Sequence, residues 1–170
     1  QNTKIITSFI DKLPFSKKNP FFYTPLYSLA LEQFDFSKFD IIISTTSTIG
    51  HCLLTQPQTI FVCYLHNVNR HIYQKKYIWP FSKIIDQYKL TDQIYSQRPD
   101  YVFCNSKTVK DRIQNIYHRS SKIVNPGTDT SFFKPLQKSS IGDYFLVVSR
   151  LVPHKKIDLA IYACHELKKK

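Results

Sequence analysis

Two cations five residues apart, Arg150 and Lys155, follow an apolar run, Phe145 to Val148, and precede a segment with helical spacing at Ile157, Ala160, Ile161 and Cys164. A buried strand that ends in a cationic loop and turns into a helix suits an anion. Strand ends open onto a crevice, a helix N-terminus offers free N–H groups, and fixed positive charge adds to both. Arg grips phosphate oxygens in pairs and Lys acts as a compact point charge. A phosphorylated ligand is therefore the expected chemistry, against the plain alternative of two exposed loop cations. The neighbouring Lys156 is read as pointing to solvent. His66 closes the β-rich run Thr59 to His66, at the end where ligands bind in open α/β sheets. A satisfied histidine at the edge of the core is the competing reading. Arg70, four residues on, suits an acceptor or a phosphate, and equally a surface salt bridge. Asn105 and Ser106 end another apolar run, where Ser106 is expected to cap a helix and Asn105 to hold the turn. The remaining histidines, His51, His71, His118, His154 and His165, show no ligand spacing, and no HExxH occurs. No metal is expected.

The elements that must position these residues alternate between strand and helix. Lys4 to Phe9 reads as a short strand and Leu26 to Glu32 as helical. Ile41 to Ser44 is a continuous apolar run suited to a strand buried on both faces. Thr46 to Leu54 reads as a short helix, Asn67 to Ile78 as irregular, and Phe81 to Tyr95 as a helix through Ile84, Ile85, Tyr88 and Ile94. Pro99-Asp100 stops it. Tyr101 to Cys104 reads as a strand, and the helix after Ser106 runs through Val109, Ile113, Ile116 and Tyr117. Ile123-Val124 reads as a short strand, Asn125-Pro126-Gly127 as a turn, and Tyr144 as the start of a fresh strand-helix unit. This alternation predicts an α/β fold with a parallel sheet. Residues 1–127 are expected to form an incomplete Rossmann-like domain that lacks its start, 128–142 a linker, and 143–170 the first strand-helix unit of a second Rossmann-like domain.

Composition narrows the function classes. Of 170 residues, 42% are hydrophobic and 15% aromatic, enough for a sizeable core. No apolar run approaches the roughly 18 residues of a membrane span. The net charge of +12 suits a nucleic acid, an anionic membrane surface or a phosphorylated substrate. Its basic residues are scattered, and no RNP, KH or zinc pattern appears, which disfavours nucleic acid. Cys52, Cys63, Cys104 and Cys164 lie in or beside apolar segments without CxxC spacing, and read as small hydrophobes in a reducing, cytoplasmic compartment. With no Met and a Lys-Lys-Lys end, the chain is expected to be an internal piece of a longer protein, inactive alone.

Three segments recur in a recognisable order: Asp100-Tyr101-Val102-Phe103-Cys104-Asn105-Ser106, then Asn125-Pro126-Gly127-Thr128-Asp129 with Phe133 and Pro135, then Ser149-Arg150-Leu151-Val152-Pro153-His154-Lys155. Together they resemble the family-four retaining glycosyltransferases of the GT-B fold. His66 and Arg70 also keep the places of a His-x-Pro-x-Arg-Tyr segment of one bacterial subgroup, with Asn67-Val68 in place of a small residue and proline. The resemblance implies a nucleotide-diphosphate sugar, with a faint hint of a GDP-linked hexose such as mannose, held in a cleft between two domains. It implies that Arg150 and Lys155 grip the diphosphate and that His66 contacts the donor sugar. A glycan or lipid-linked acceptor and peripheral contact with the inner face of a membrane follow from it, with no metal or other cofactor. The family's acidic pair lies downstream of the phosphate loop, and Glu166 is neither of its members. A basic non-catalytic binding module and a degenerate relative of the family are the alternatives.

Overall fold

The computed structural model describes residues 5–18, 23, 26–73, 81–134 and 144–167. Two compact units emerge, Gln1–Gly127 and Thr128–Lys170. The first carries one parallel sheet in the order β1 (Ile41–Thr46), β2 (Ile60–Leu65), β3 (Tyr101–Cys104) and β4 (Lys122–Ile123). Its helices are α1 (Tyr27–Glu32), α2 (Arg70–Tyr73), α3 (Phe81–Tyr95) and α4 (Lys107–Tyr117). In register, Ile43 pairs with Val62, Tyr64 with Phe103, and Cys104 with Ile123. The architecture is α/β and Rossmann-like, as the alternation of apolar runs and helical spacing implies.

Successive side chains of a strand point to opposite faces, and here only one face is packed. Ile42, Phe61, Cys63, Leu65, Val102 and Cys104 form the core with Val109, Ile113 and Tyr117 of α4. Burial of each large side chain contributes about 1.5–3 kcal/mol. The other face holds Ile41 and Ile43, 56% and 73% exposed, with Ile60 and Tyr101 also exposed. This corrects the expectation that the Ile41 run is buried on both faces. Parallel strands laid down in sequential order, with crossovers of one hand, keep their connections on a single side. An unbroken apolar run therefore does not reveal which of its residues are covered.

Polar groups tie the crossovers together. Asp92 of α3 accepts a hydrogen bond from His51 Nε2 at 2.9 Å on one carboxylate oxygen and from the Tyr117 hydroxyl at 2.8 Å on the other. His51 is 1% exposed and Asp92 is also buried. Asp100 acts similarly at the sheet's amino end: its carboxylate accepts the Phe61 N–H at 2.7 Å, while its own N–H donates to the Phe61 carbonyl at 2.8 Å. Arg98 donates to the Cys52 carbonyl, pairs with Glu32 at 2.7 Å and lies 3.9 Å from the Tyr95 ring centre. Ser106 caps α4 by accepting the Val109 N–H at 3.4 Å. His118 ends that helix in the left-handed region at φ 53°, so its backbone rather than its ring shapes the turn.

Several local expectations are corrected. Lys4 lies outside the described residues, and Ile5–Ser8 form no strand. Phe9–Lys12 is instead a 3-10 turn that buries Ile10. The helix expected over Thr46 to Leu54 shrinks to a 3-10 turn, Gly50–Cys52. Thr46 Oγ1 accepts the N–H groups of Thr48 and Gly50, at 3.0 and 3.1 Å, and so captures amides that a helix would use. Gly50 packs so closely there that a Cβ would meet the Thr46 side chain at 2.7 Å and also the Ser44 hydroxyl. The segment read as irregular after Asn67 contains α2, and residues 74–78 lie outside the description. Asn125-Pro126-Gly127 makes no turn: the chain is exposed and without regular structure there. Residues 135–142 of the expected linker are likewise outside the described set.

In the second unit, α5 (Ile157–Glu166) forms where helical spacing predicts it. The strand expected over Phe145 to Val148 does not, because those residues find no ladder partner among the described residues. Phe145, Leu146 and Val147 instead line an open apolar groove with Ile157, Ala160 and Ile161.

Two stability predictions follow from the packed face. Asp92→Ala leaves His51 and the Tyr117 hydroxyl without their shared acceptor, and should lower the unfolding free energy by about 2–4 kcal/mol in urea titration. Tyr117→Phe, which keeps the ring and the His51 bond but removes the hydroxyl that meets Asp92 and the Asn69 backbone, should cost about 1–2 kcal/mol. Burial raises the Cys63 thiol from an ordinary 9.0 to about 12, and it raises Cys52, Tyr73 and Tyr117 in the same direction. A group whose folded pKa is raised stabilises the fold fully below its unfolded value and progressively less as pH climbs toward the folded one. The urea midpoint should thus fall as pH rises from about 9 toward 12. Cys63→Ala should make that fall shallower.

Candidate functional site

The carboxyl ends of the four strands gather the chemistry-bearing residues of the first unit. His66 follows β2 directly, and its N–H continues the ladder by donating to the Thr46 carbonyl at 2.8 Å. Its ring is exposed. Thr45 Oγ1 stands 3.0 Å from His66 Nε2, and the Tyr64 ring meets the imidazole edge-on with centroids 5.1 Å apart. The His66 carbonyl accepts Asn105 Nδ2 at 3.2 Å. Asn105 in turn accepts the Ser106 hydroxyl on its side-chain oxygen at 2.9 Å, and Asn125 Nδ2 on its backbone carbonyl at 3.0 Å. The ends of β2, β3 and β4 are therefore linked by two asparagine side chains, each bonding the carbonyl of the preceding strand's last turn.

The loop after His66 is held from both sides. Asn67 Oδ1 accepts the Val68 N–H and Arg112 Nη1, both at 3.0 Å, and Val68 is buried beneath. Arg70 opens α2 and is exposed, with no hydrogen bond or ion pair to the described residues. His66, Asn105 and Ser106 are thus brought together, and Arg70 stands four residues along the same loop.

Arg150 and Lys155 belong to the second unit and are both exposed. The Arg150 carbonyl accepts the Val152 N–H at 2.9 Å, and Lys155 closes the 3-10 turn Pro153–Lys155 by donating its N–H to the Val152 carbonyl at 2.9 Å. Lys156 then takes the left-handed conformation at φ 51° immediately before α5, a geometry that glycine adopts without strain. Asp129 also lies here. Its carboxyl is held below the usual range by the Ser131 hydroxyl and by the Phe132 and Ser131 N–H groups, a local loop closure.

Sequence spacing did not single out Thr45, Tyr64 or Asn125. The available signal was register: Thr45 pairs with Tyr64, so the row Thr45, Tyr64, His66 shares one side of the sheet. Nor did it single out His51 with Cys52 and Asp92, whose donor atoms all lie within 4.8 Å of one another. Their geometry is that of a hydrogen-bond network. The 2.9 Å between His51 Nε2 and Asp92 is an ordinary hydrogen-bond distance, and the second Asp92 oxygen already takes the Tyr117 hydroxyl. Nδ1 of His51 is left without a partner.

Asn105→Ala removes the donor to His66 and the acceptor for Ser106 while leaving the packed face intact. It should reduce stability by about 1 kcal/mol and speed amide exchange locally at residues 66–68, read by hydrogen–deuterium exchange.

The family model described as Glycosyltransferase Family 4 matches residues 2–132, ending before Arg150 and Lys155. No curated protein and no solved structure matches the chain. The match spans the parallel sheet, the asparagine-linked carboxyl edge and His66, and on it the chain belongs to glycosyltransferase family 4.

Proposed function

We propose that this protein is a retaining glycosyltransferase that moves a hexose from a nucleoside-diphosphate sugar to a glycan or lipid-linked acceptor. The observation that carries the reading is the family match, laid over a parallel sheet whose carboxyl edge presents His66 with its backbone clamped and its ring exposed. In the reaction, the bond from the sugar's anomeric carbon to the diphosphate breaks and a bond to the acceptor oxygen forms. The acceptor hydroxyl gives up its proton. Charge grows on the leaving diphosphate, so donors fixed before bond cleavage stabilise the transition state with little reorganisation.

In this reading Arg150 and Lys155 hold the diphosphate, His66 contacts the donor sugar, and Arg70 faces the acceptor or a phosphate. Arg150 and Lys155 have no side-chain partner among the described residues, which leaves both heads available to a ligand. Two fixed cations also supply the neutralisation that a divalent metal provides at other phosphate sites, so no metal is invoked. A GDP-linked hexose is the proposed donor. The net charge of +12 favours work at an anionic cytoplasmic membrane face, where lipid-linked acceptors lie.

In the full-length protein, Arg150→Ala and Lys155→Ala should each lower turnover about a hundredfold, with the thermal midpoint unchanged. Release of nucleoside diphosphate from GDP-mannose and from UDP-glucose is the assay, and EDTA should leave the rate unaltered. Undiminished turnover in both variants removes the two cations from the site.

A further inference from the structure

We infer that Thr45 is a positioning residue for His66: its hydroxyl engages Nε2 and fixes the imidazole so that Nδ1 is the nitrogen offered to a bound sugar. The inference rests on the reading of His66 as a sugar contact and adds the residue that orients it. Thr45 is the next-to-last residue of β1 and His66 follows β2 on the same side of the sheet, so their approach to 3.0 Å is set by strand register. His66 cannot slide along the sheet, because its N–H and carbonyl are both bonded, to Thr46 and Asn105. One side of the ring is walled by Tyr64 at an interplanar angle of 76°, and Tyr64 is itself anchored through its hydroxyl to the Val124 carbonyl at 2.7 Å.

With backbone, wall and Nε2 held, Nδ1 is the ring atom without a partner among the described residues. A neutral imidazole carries one donor and one acceptor nitrogen, and the bond made by one decides the role of the other. Thr45 therefore controls where Nδ1 sits toward a sugar oxygen, while its hydroxyl, able to donate or to accept, serves whichever tautomer the sugar selects. Valine has nearly the shape of threonine and suits a strand, so Thr45→Val removes the hydroxyl with little else changed.

The test uses the protein labelled with 15N at histidine, with His66 assigned by its loss in His66→Asn. Wild type should show a His66 Nε2 shift displaced from that of an unbonded ring nitrogen. Thr45→Val should move that shift, and Thr45→Ser should restore the wild-type pattern. In the transfer assay of the full-length protein, Thr45→Val should lower kcat about fivefold to tenfold with KM for the donor nearly unchanged, and Thr45→Ser should recover most of it. Coincident His66 spectra in wild type and Thr45→Val overturn the inference whatever His66 does. If the spectra differ as expected but His66→Ala retains full turnover, the positioning stands and the sugar-contact reading of His66 fails.

Discussion

A single buried carboxylate, Asp92, holds the packed side of the first unit in register. It comes from α3, yet its two oxygens are taken by His51 from the turn after β1 and by Tyr117 from the last turn of α4. Three segments far apart in sequence thus meet on one side chain. An unpaired carboxylate in such a place would be strongly unfavourable, so the two donors and the acceptor must arrive together. The apolar core can tolerate small sideways shifts of a helix, but a hydrogen-bonded carboxylate cannot. Asp92 therefore fixes where the crossovers lie, and through them where the strands end.

The carboxyl edge inherits that order. His66, Asn105 and Asn125 each stand just past a strand end, and each is bonded to a neighbour's backbone. Asparagine suits this task because it donates through one atom and accepts through another, so it can bond a carbonyl while receiving a hydroxyl. Ser106, itself bonded to Asn105, starts α4 by capping the Val109 amide. The edge is stiff in its backbone and open in its side chains, which is what a ligand-facing rim requires.

Long periodic segments were legible in the sequence. The helix Phe81–Tyr95 and the strand Tyr101–Cys104 have the bounds that spacing predicts, and Ser106 caps as its type suggests. Three kinds of feature were not legible. Facial burial of β1 depends on which side the crossovers take, a property of the whole topology. The short helix after Thr46 lost to a side chain competing for its amides, a contest that propensity does not rank. The apolar run at Phe145 to Val148 has strand composition but no ladder partner among the described residues, and a strand exists only within a ladder. At the site, residue type marked His66 and Asn105, while their partners Thr45 and Asn125 became visible only through register.

The open face of the sheet sets charge against stickiness. Ile41, Ile43, Ile60 and Tyr101 make an apolar surface flanked by β1, an outer strand of the described sheet. Surfaces of that kind invite a second copy to add itself. What opposes this is the +12 charge, which every copy carries and which repels its like. That repulsion reaches only about 10 Å at 0.1 M salt and about 3 Å at 1 M. Ionic strength thus weakens the repulsion between copies at neutral pH, as does raising the pH toward the isoelectric point of about 9.6, where the charge itself is lost.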